Sequence, residues 1–191
     1  MSRTVSWMST SFAVALGLAV VVLMAMGADE KGTVTALRIT ARWSFLLFWL
    51  AYAGRAIAAL SGIPLGQRVR EFGLSFASAH LVHLGLIAWL CWIGHAPSVS
   101  TFTFFGIAIF CTYCLALCSL ATVRRAVGSV GWWIINNVGM NYILIAFAKD
   151  FLATPSKINT RYVIGYAPFV IMVILAPLLR ILATMTRLKA A

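Results

Sequence analysis

The sequence predicts an all-α membrane protein, a bundle of six transmembrane helices forming a single domain over residues 1–191. Three observations carry this prediction. The chain is 62% hydrophobic and only 10% charged, too little charge to cover a surface that faces water on all sides. Its apolar residues gather into runs close to the ~20 residues that a helical span of a bilayer requires. The polar segments between those runs are too short to fold into a domain outside the membrane.

The first span is expected at residues 11–26. Arg3, the apolar stretch after it and Ala25-Met26-Gly27-Ala28 resemble a cleavable signal peptide with its small-residue site. The run is long enough for a tilted span, and a retained helix is the expectation. The second span is expected at residues 43–60, the third at 73–93 and the fourth at 102–121. The fifth is expected at 132–152 and the sixth at 163–182. Polar connections then fall at 27–42, 61–71, 95–101, 122–131 and 153–162. Neither an internal repeat nor a low-complexity tract is visible.

Charge sets the orientation. The chain has 15 Lys and Arg against 4 Asp and Glu, a net charge of +11. In a water-soluble protein that excess would suggest nucleic acid. Here the basic residues sit at the edges of apolar runs, where they orient the chain and meet anionic headgroups, so nucleic acid is not an expected partner. With six spans, one side collects Arg3, Arg68, Arg70, Arg124, Arg125, Arg180, Arg187 and Lys189. The other collects Lys31, Arg38, Arg42, Lys149, Lys157 and Arg161, offset in part by Asp29, Glu30 and Asp150. The close pairs Arg68/Arg70 and Arg124/Arg125 lie in short connections, where the positive-inside rule has most force. Both termini are therefore expected in the cytoplasm, with the chain in the cell's inner (plasma) membrane.

The cysteines Cys91, Cys111, Cys114 and Cys118 all lie in or beside apolar runs. Three of them fall at i, i+3, i+7 on one helical face, but no second cluster completes a metal site. They read as small polarizable packing residues rather than a disulfide framework.

Ionisable residues inside spans are costly and mark candidate sites. The third span carries His80 and His83, three residues apart and so on one helical face. His95 ends the same span, roughly 18 Å further along the axis. The fifth span carries Asn136, Asn137 and Asn141 near one end, with Lys149 and Asp150 near the other. The second span adds Arg55. Spans three and five are thus expected to face each other across two polar levels. The inner level would hold His80 or His83, the asparagines and Arg55; the outer would hold His95 with Asp150 or Lys149. Each group also has a plainer role: interhelical hydrogen bonding for His and Asn, snorkelling for Arg55, marking the water boundary for the outer set.

The stretch Arg68-Val69-Arg70-Glu71-Phe72-Gly73-Leu74, running on to Ala79-His80-Leu81-Val82-His83-Leu84, resembles the lead into the first haem-ligand helix of the ferric-reductase-like transmembrane family. Within it, the similarity is to the bacterial haem-binding membrane subunits that feed periplasmic methionine sulfoxide reductase. At the spacing after Gly73 that the family's ligand His-Leu keeps, this chain has His83-Leu84, with His80 the alternative. The run from Gly106 through Ala121-Thr122-Val123-Arg124-Arg125-Ala126-Val127-Gly128 to Trp132 or Trp133 is similar to the helix and basic loop before the family's second ligand helix. The resemblance implies a six-span ferric-reductase-like bundle, b-type haem and transmembrane electron transfer. The donor would be a separate cytoplasmic flavoprotein or a quinol, and the acceptor a redox partner on the outer side. The implied cofactor residues are His83 as axial iron ligand, His80 beside it, His95, and Arg55 as a propionate partner.

One departure reshapes that implication. The family's second helix supplies histidines on the opposite wall, and the corresponding positions here are Asn136 or Asn137, then Lys149 or Asp150. His80 and His83, on one face of one helix, cannot approach a single iron from opposite sides. A haem would be five-coordinate through His83, or take its sixth ligand from Met140 or another subunit, His/Met ligation being a known pattern. The alternative expectation is a haem-free descendant that acts as an interaction subunit of a larger membrane complex.

Overall fold

A computed structural model of the chain describes residues 3–152 and 160–190. Its helices are α1 (Arg3–Met26), α2 (Glu30–Ser61), α3 (Val69–Trp92), α4 (Val99–Cys118), α5 (Ala121–Leu152) and α6 (Thr160–Ala190), with a 3-10 turn at Pro64–Arg68. No strand occurs among the described residues. All six helices are long and apolar enough to cross a membrane. Large apolar side chains such as Val21, Phe110, Val138 and Ile171 lie exposed along them, a surface suited to lipid rather than water. This is an all-helical, multi-pass architecture.

The helices run beyond the apolar stretches that betray them. α2 begins at Glu30, well ahead of the span expected at 43–60. Asp29 starts it by accepting a hydrogen bond from the Gly32 N–H at 2.9 Å, the Ncap role of a short carboxylate. α5 likewise takes up the segment 122–131 expected as a connection. Most joints are tight turns at glycine. Gly27, Gly62 and Gly94 have φ of 88°, 73° and 86°, the left-handed geometry that ends helices and that a Cβ disfavours. α6 carries Pro168 and Pro177, each removing one bond from its ladder. The connection expected at 153–162 falls largely outside the described residues.

The chain gathers into two compact units, Met1–Ala51 with Arg70–Thr103, and Tyr52–Val69 with Phe104–Ala191. The first is built from α1, most of α2 and α3. Its seams are lined by small residues at helical spacing: Ser11, Ala15 and Ala19 on α1, and Ala36, Thr40 and Ser44 on α2, all buried. Small side chains let helix backbones approach closely where lipid gives no hydrophobic drive to associate. Polar tips then tie α1 to its neighbours. Trp43 Nε1 donates to the Ser11 carbonyl at 3.2 Å, and Ser78 Oγ to the Met8 carbonyl at 3.0 Å.

The second unit contains the end of α2, most of α4, and α5 with α6. Gly139 of α5 packs on Cys111 and Leu115 of α4; a Cβ there would lie 3.1 Å from Leu115 Cδ1. Tyr142 donates to the Phe104 carbonyl at 3.1 Å. Phe151 packs against Tyr166 and Phe169 of α6, with ring centroids 6.2 and 5.3 Å apart. The four cysteines are free, in keeping with a packing role.

Candidate functional site

Among the described residues each unit holds a polar cluster between its helices, Asn141 of the second being exposed. In the first, the three-residue spacing on α3 brings His80 and His83 side by side, their rings stacked at 5.1 Å with 17° between planes. A row of aromatic rings continues through Phe76, 5.5 Å from His80, to Phe48 of α2, 5.4 Å from Phe76. The stacking agrees with the three-residue spacing, which puts both imidazoles on one helical face.

A hydroxyl of α2 orients His83. Thr40 Oγ1 lies 3.1 Å from His83 Nδ1. The same oxygen is 2.9 Å from the Ala36 carbonyl and 3.1 Å from the Leu37 carbonyl. A threonine hydroxyl has one proton, and carbonyls only accept. The direction of this bond follows the tautomer: with the hydroxyl proton on a backbone carbonyl, Thr40 accepts from a His83 protonated on Nδ1, the form that would leave the Nε2 lone pair for a ligand. Metal-ligating histidines are commonly held this way, one ring N–H donated to a neighbour and the other nitrogen left for the metal. His80 Nδ1, by contrast, is buried without a hydrogen-bond partner. A nitrogen in that state costs about 1–3 kcal/mol, and its retention beside His83 asks for a reason.

In the second unit Asn137 and Asn141, one turn apart on α5, collect a network. Tyr52 at the end of α2 donates to Asn141 Oδ1 at 2.7 Å. Arg180 of α6 donates to Asn137 Oδ1 at 3.0 Å, and its guanidinium lies 4.6 Å from the centre of the Tyr52 ring. The asparagine amides bond back to the helix, Asn141 to the Asn137 carbonyl at 2.8 Å and Asn137 to the Trp133 carbonyl at 2.9 Å. Both asparagines are thereby fixed with their oxygens outward. A double-mutant cycle with Asn137→Ala and Arg180→Gln should give a coupling of about 0.6–1.7 kcal/mol, the range for interhelical hydrogen bonds in a membrane. Thermal unfolding in detergent would measure it, and additive single effects would reduce the contact to proximity.

An inner level joining His80 or His83 to the asparagines was the expectation; among the described bonds, His83 meets Thr40 within the first unit, and Asn141 and Asn137 meet Tyr52 and Arg180 within the second. For His95, expected with Asp150 or Lys149, the described ion pair is with Glu30 at 3.2 Å, both about half exposed. The earlier start of α2 explains this, since it puts Glu30 on a helix end instead of in a long loop. Beside it, Trp89 Nε1 donates to the Ala28 carbonyl at 2.9 Å, fastening the α1–α2 turn to α3. Lys149 lies over the Phe104 ring at 3.9 Å. Arg55 is exposed on the last turns of α2, and Met140 is half-buried on α5; both belong to the second unit.

Sequence reading passed over Thr40, Tyr52 and Arg180 as site residues. Two of them carried a signal. Thr40 lies midway in the Ala36-Thr40-Ser44 stripe, and Arg180 falls inside the expected span 163–182. Among the described residues no three His, Cys, Asp or Glu side chains cluster as a metal-ion site. Compared with family models, curated proteins and solved structures, the chain matches none.

Proposed function

We propose that this chain is an electron-transfer subunit of the cell's inner membrane that holds a b-type haem through His83, with both termini cytoplasmic. The observation that supports it is the Thr40 hydroxyl 3.1 Å from His83 Nδ1, placed to accept from the tautomer that would leave Nε2 to bind iron. The resemblance of the Arg68–Leu84 stretch to a haem-ligand helix names the cofactor. When bound, haem supplies a reversible one-electron centre. Thr40 fixes the plane and tautomer of the ligand, and Phe76 and Phe48 supply an apolar flank beside the histidines. His80 stands as the alternative ligand. The electron donor is a cytoplasmic flavoprotein or a quinol, and the acceptor lies on the outer side.

A second reading, a haem-free interaction subunit of a membrane complex, draws on the other cluster. Tyr52, Asn137, Asn141 and Arg180 bond to one another across helices, as purely structural contacts would. Visible spectroscopy on detergent-purified protein separates the two. The haem reading expects b-type Soret and α bands after dithionite reduction, abolished in His83→Ala and kept in Asn137→Ala. A protein without absorbing cofactor after expression with ample haem would leave the interaction reading. Carbon monoxide should shift the reduced bands if the sixth position is open.

A further inference from the structure

The fifth helix contains a break that neither polar cluster uses. Gly128, at φ 73° and ψ 176°, is not helical, and it divides α5 into a short segment, 121–127, and a long one, 129–152. Beside the break is a concavity of about 490 Å³ lined by Ala121, Arg124, Arg125, Gly128, Ser129 and Trp132. Gly131 belongs to the same bend: a Cβ there would come within 2.8 Å of Val127 Cγ1.

The lining has the chemistry of a phosphate site. The Arg124 guanidinium lies 4.8 Å from the centre of the Trp132 ring. Stacking engages the face of a guanidinium and leaves its in-plane N–H groups free to donate. Arg125 Nε is held by the Ala121 carbonyl at 3.2 Å, which orients that side chain while its two terminal nitrogens remain. Ser129 adds a hydroxyl. Two positive charges thus share one hollow whose lining holds no carboxylate.

The surroundings select the source of the phosphate. The hollow lies at the start of α5, a helix long and apolar enough to cross a bilayer, and headgroups would meet the end of such a helix. Next to it, Leu117, Leu120, Val130, Trp133 and Ile134 are exposed apolar side chains. A soluble phosphate has no use for such a border, whereas acyl chains would cover it. We propose that this hollow is a binding site for the phosphate of an anionic phospholipid, seated between Arg124 and Arg125 with its tails along the start of the long segment of α5. The site is independent of what His83 holds.

Native mass spectrometry of the delipidated full chain tests this, with phosphatidylglycerol, phosphatidylcholine and inorganic phosphate as probes. Phosphatidylglycerol should bind roughly thirtyfold more tightly than phosphatidylcholine, the effect of two interfacial charges, and Arg124→Gln/Arg125→Gln should remove most of that preference. Arg68→Gln/Arg70→Gln, which deletes two charges elsewhere, should keep it. Trp132→Leu reaches the same site without a change of charge and should weaken phosphatidylglycerol by about threefold, the size of a modest cation–π contact. Equal losses in both arginine pairs would mean diffuse attraction and would overturn the proposal. So would equal affinity for the two lipids, or unchanged binding in Trp132→Leu. Inorganic phosphate displacing phosphatidylglycerol at matched concentration would make a soluble phosphate the ligand and overturn the lipid assignment.

Discussion

Thr40→Val should lower the affinity of the His83 site for haem by about 10- to 100-fold, the usual effect of removing the group that orients a metal-binding histidine. Valine replaces the hydroxyl with a methyl of nearly the same size, so the fully buried position stays filled and only the hydrogen bond is lost. In the Nδ1–H tautomer, His83 then has no acceptor at 3.1 Å. The ring can keep that tautomer at a cost of about 1–3 kcal/mol for an unsatisfied buried donor. Alternatively it can move the proton to Nε2, which blocks the atom that would bind iron. Either route weakens the site, and Thr40→Ser should restore it. Soret absorbance during haem titration of the apoprotein measures the affinity, and thermal unfolding of the same samples without haem isolates the packing cost. Undiminished haem binding in Thr40→Val would break the link between the hydroxyl and the ligand. A thermal loss in a chain that takes up no haem would make Thr40–His83 a structural bond between α2 and α3.

The six helices were legible because a bilayer span announces itself by length and apolarity, and those properties survive in any window across residues 11–26 or 102–121. Their ends were not, because hydropathy marks where lipid lies and not where the helix stops. Arg38 and Arg42 read as loop residues, yet both continue α2, which Asp29 had already started. The stacked histidines followed directly from a three-residue spacing. Their partner did not, since the match of Thr40 to His83 depends on which faces of α2 and α3 pack together. Arg180 shows the same limit: two residues inside the expected end of a span, it read as a boundary charge until Asn137 and Tyr52 gave it neutral partners.

The α1–α2 turn offers the sharpest test of the packing. Alanine is worth about 0.5–1 kcal/mol over glycine inside a helix, so propensity alone favours Gly32→Ala. The position forbids it. Gly32 is buried, and a Cβ there would run into the Gly27 carbonyl, whose carbon would be 3.0 Å away, with Asp29 Oδ1 at 3.3 Å. The obstacle is backbone, and Gly27 is already set at φ 88° by the turn, so relief requires moving the end of α1 against the start of α2. The Asp29 cap on the Gly32 N–H, at 2.9 Å, would be disturbed with it. Overpacking of this kind costs about 1–3 kcal/mol and a lost cap about 1 kcal/mol more, several times what propensity returns. Gly85→Ala in α3 is the matched control, because a Cβ there meets nothing within 4 Å. Thermal unfolding in one detergent should place Gly32→Ala well below the parent chain and Gly85→Ala at or above it. If the two variants unfold together, the close approach of Gly27 to Gly32 is not what holds α1 against α2.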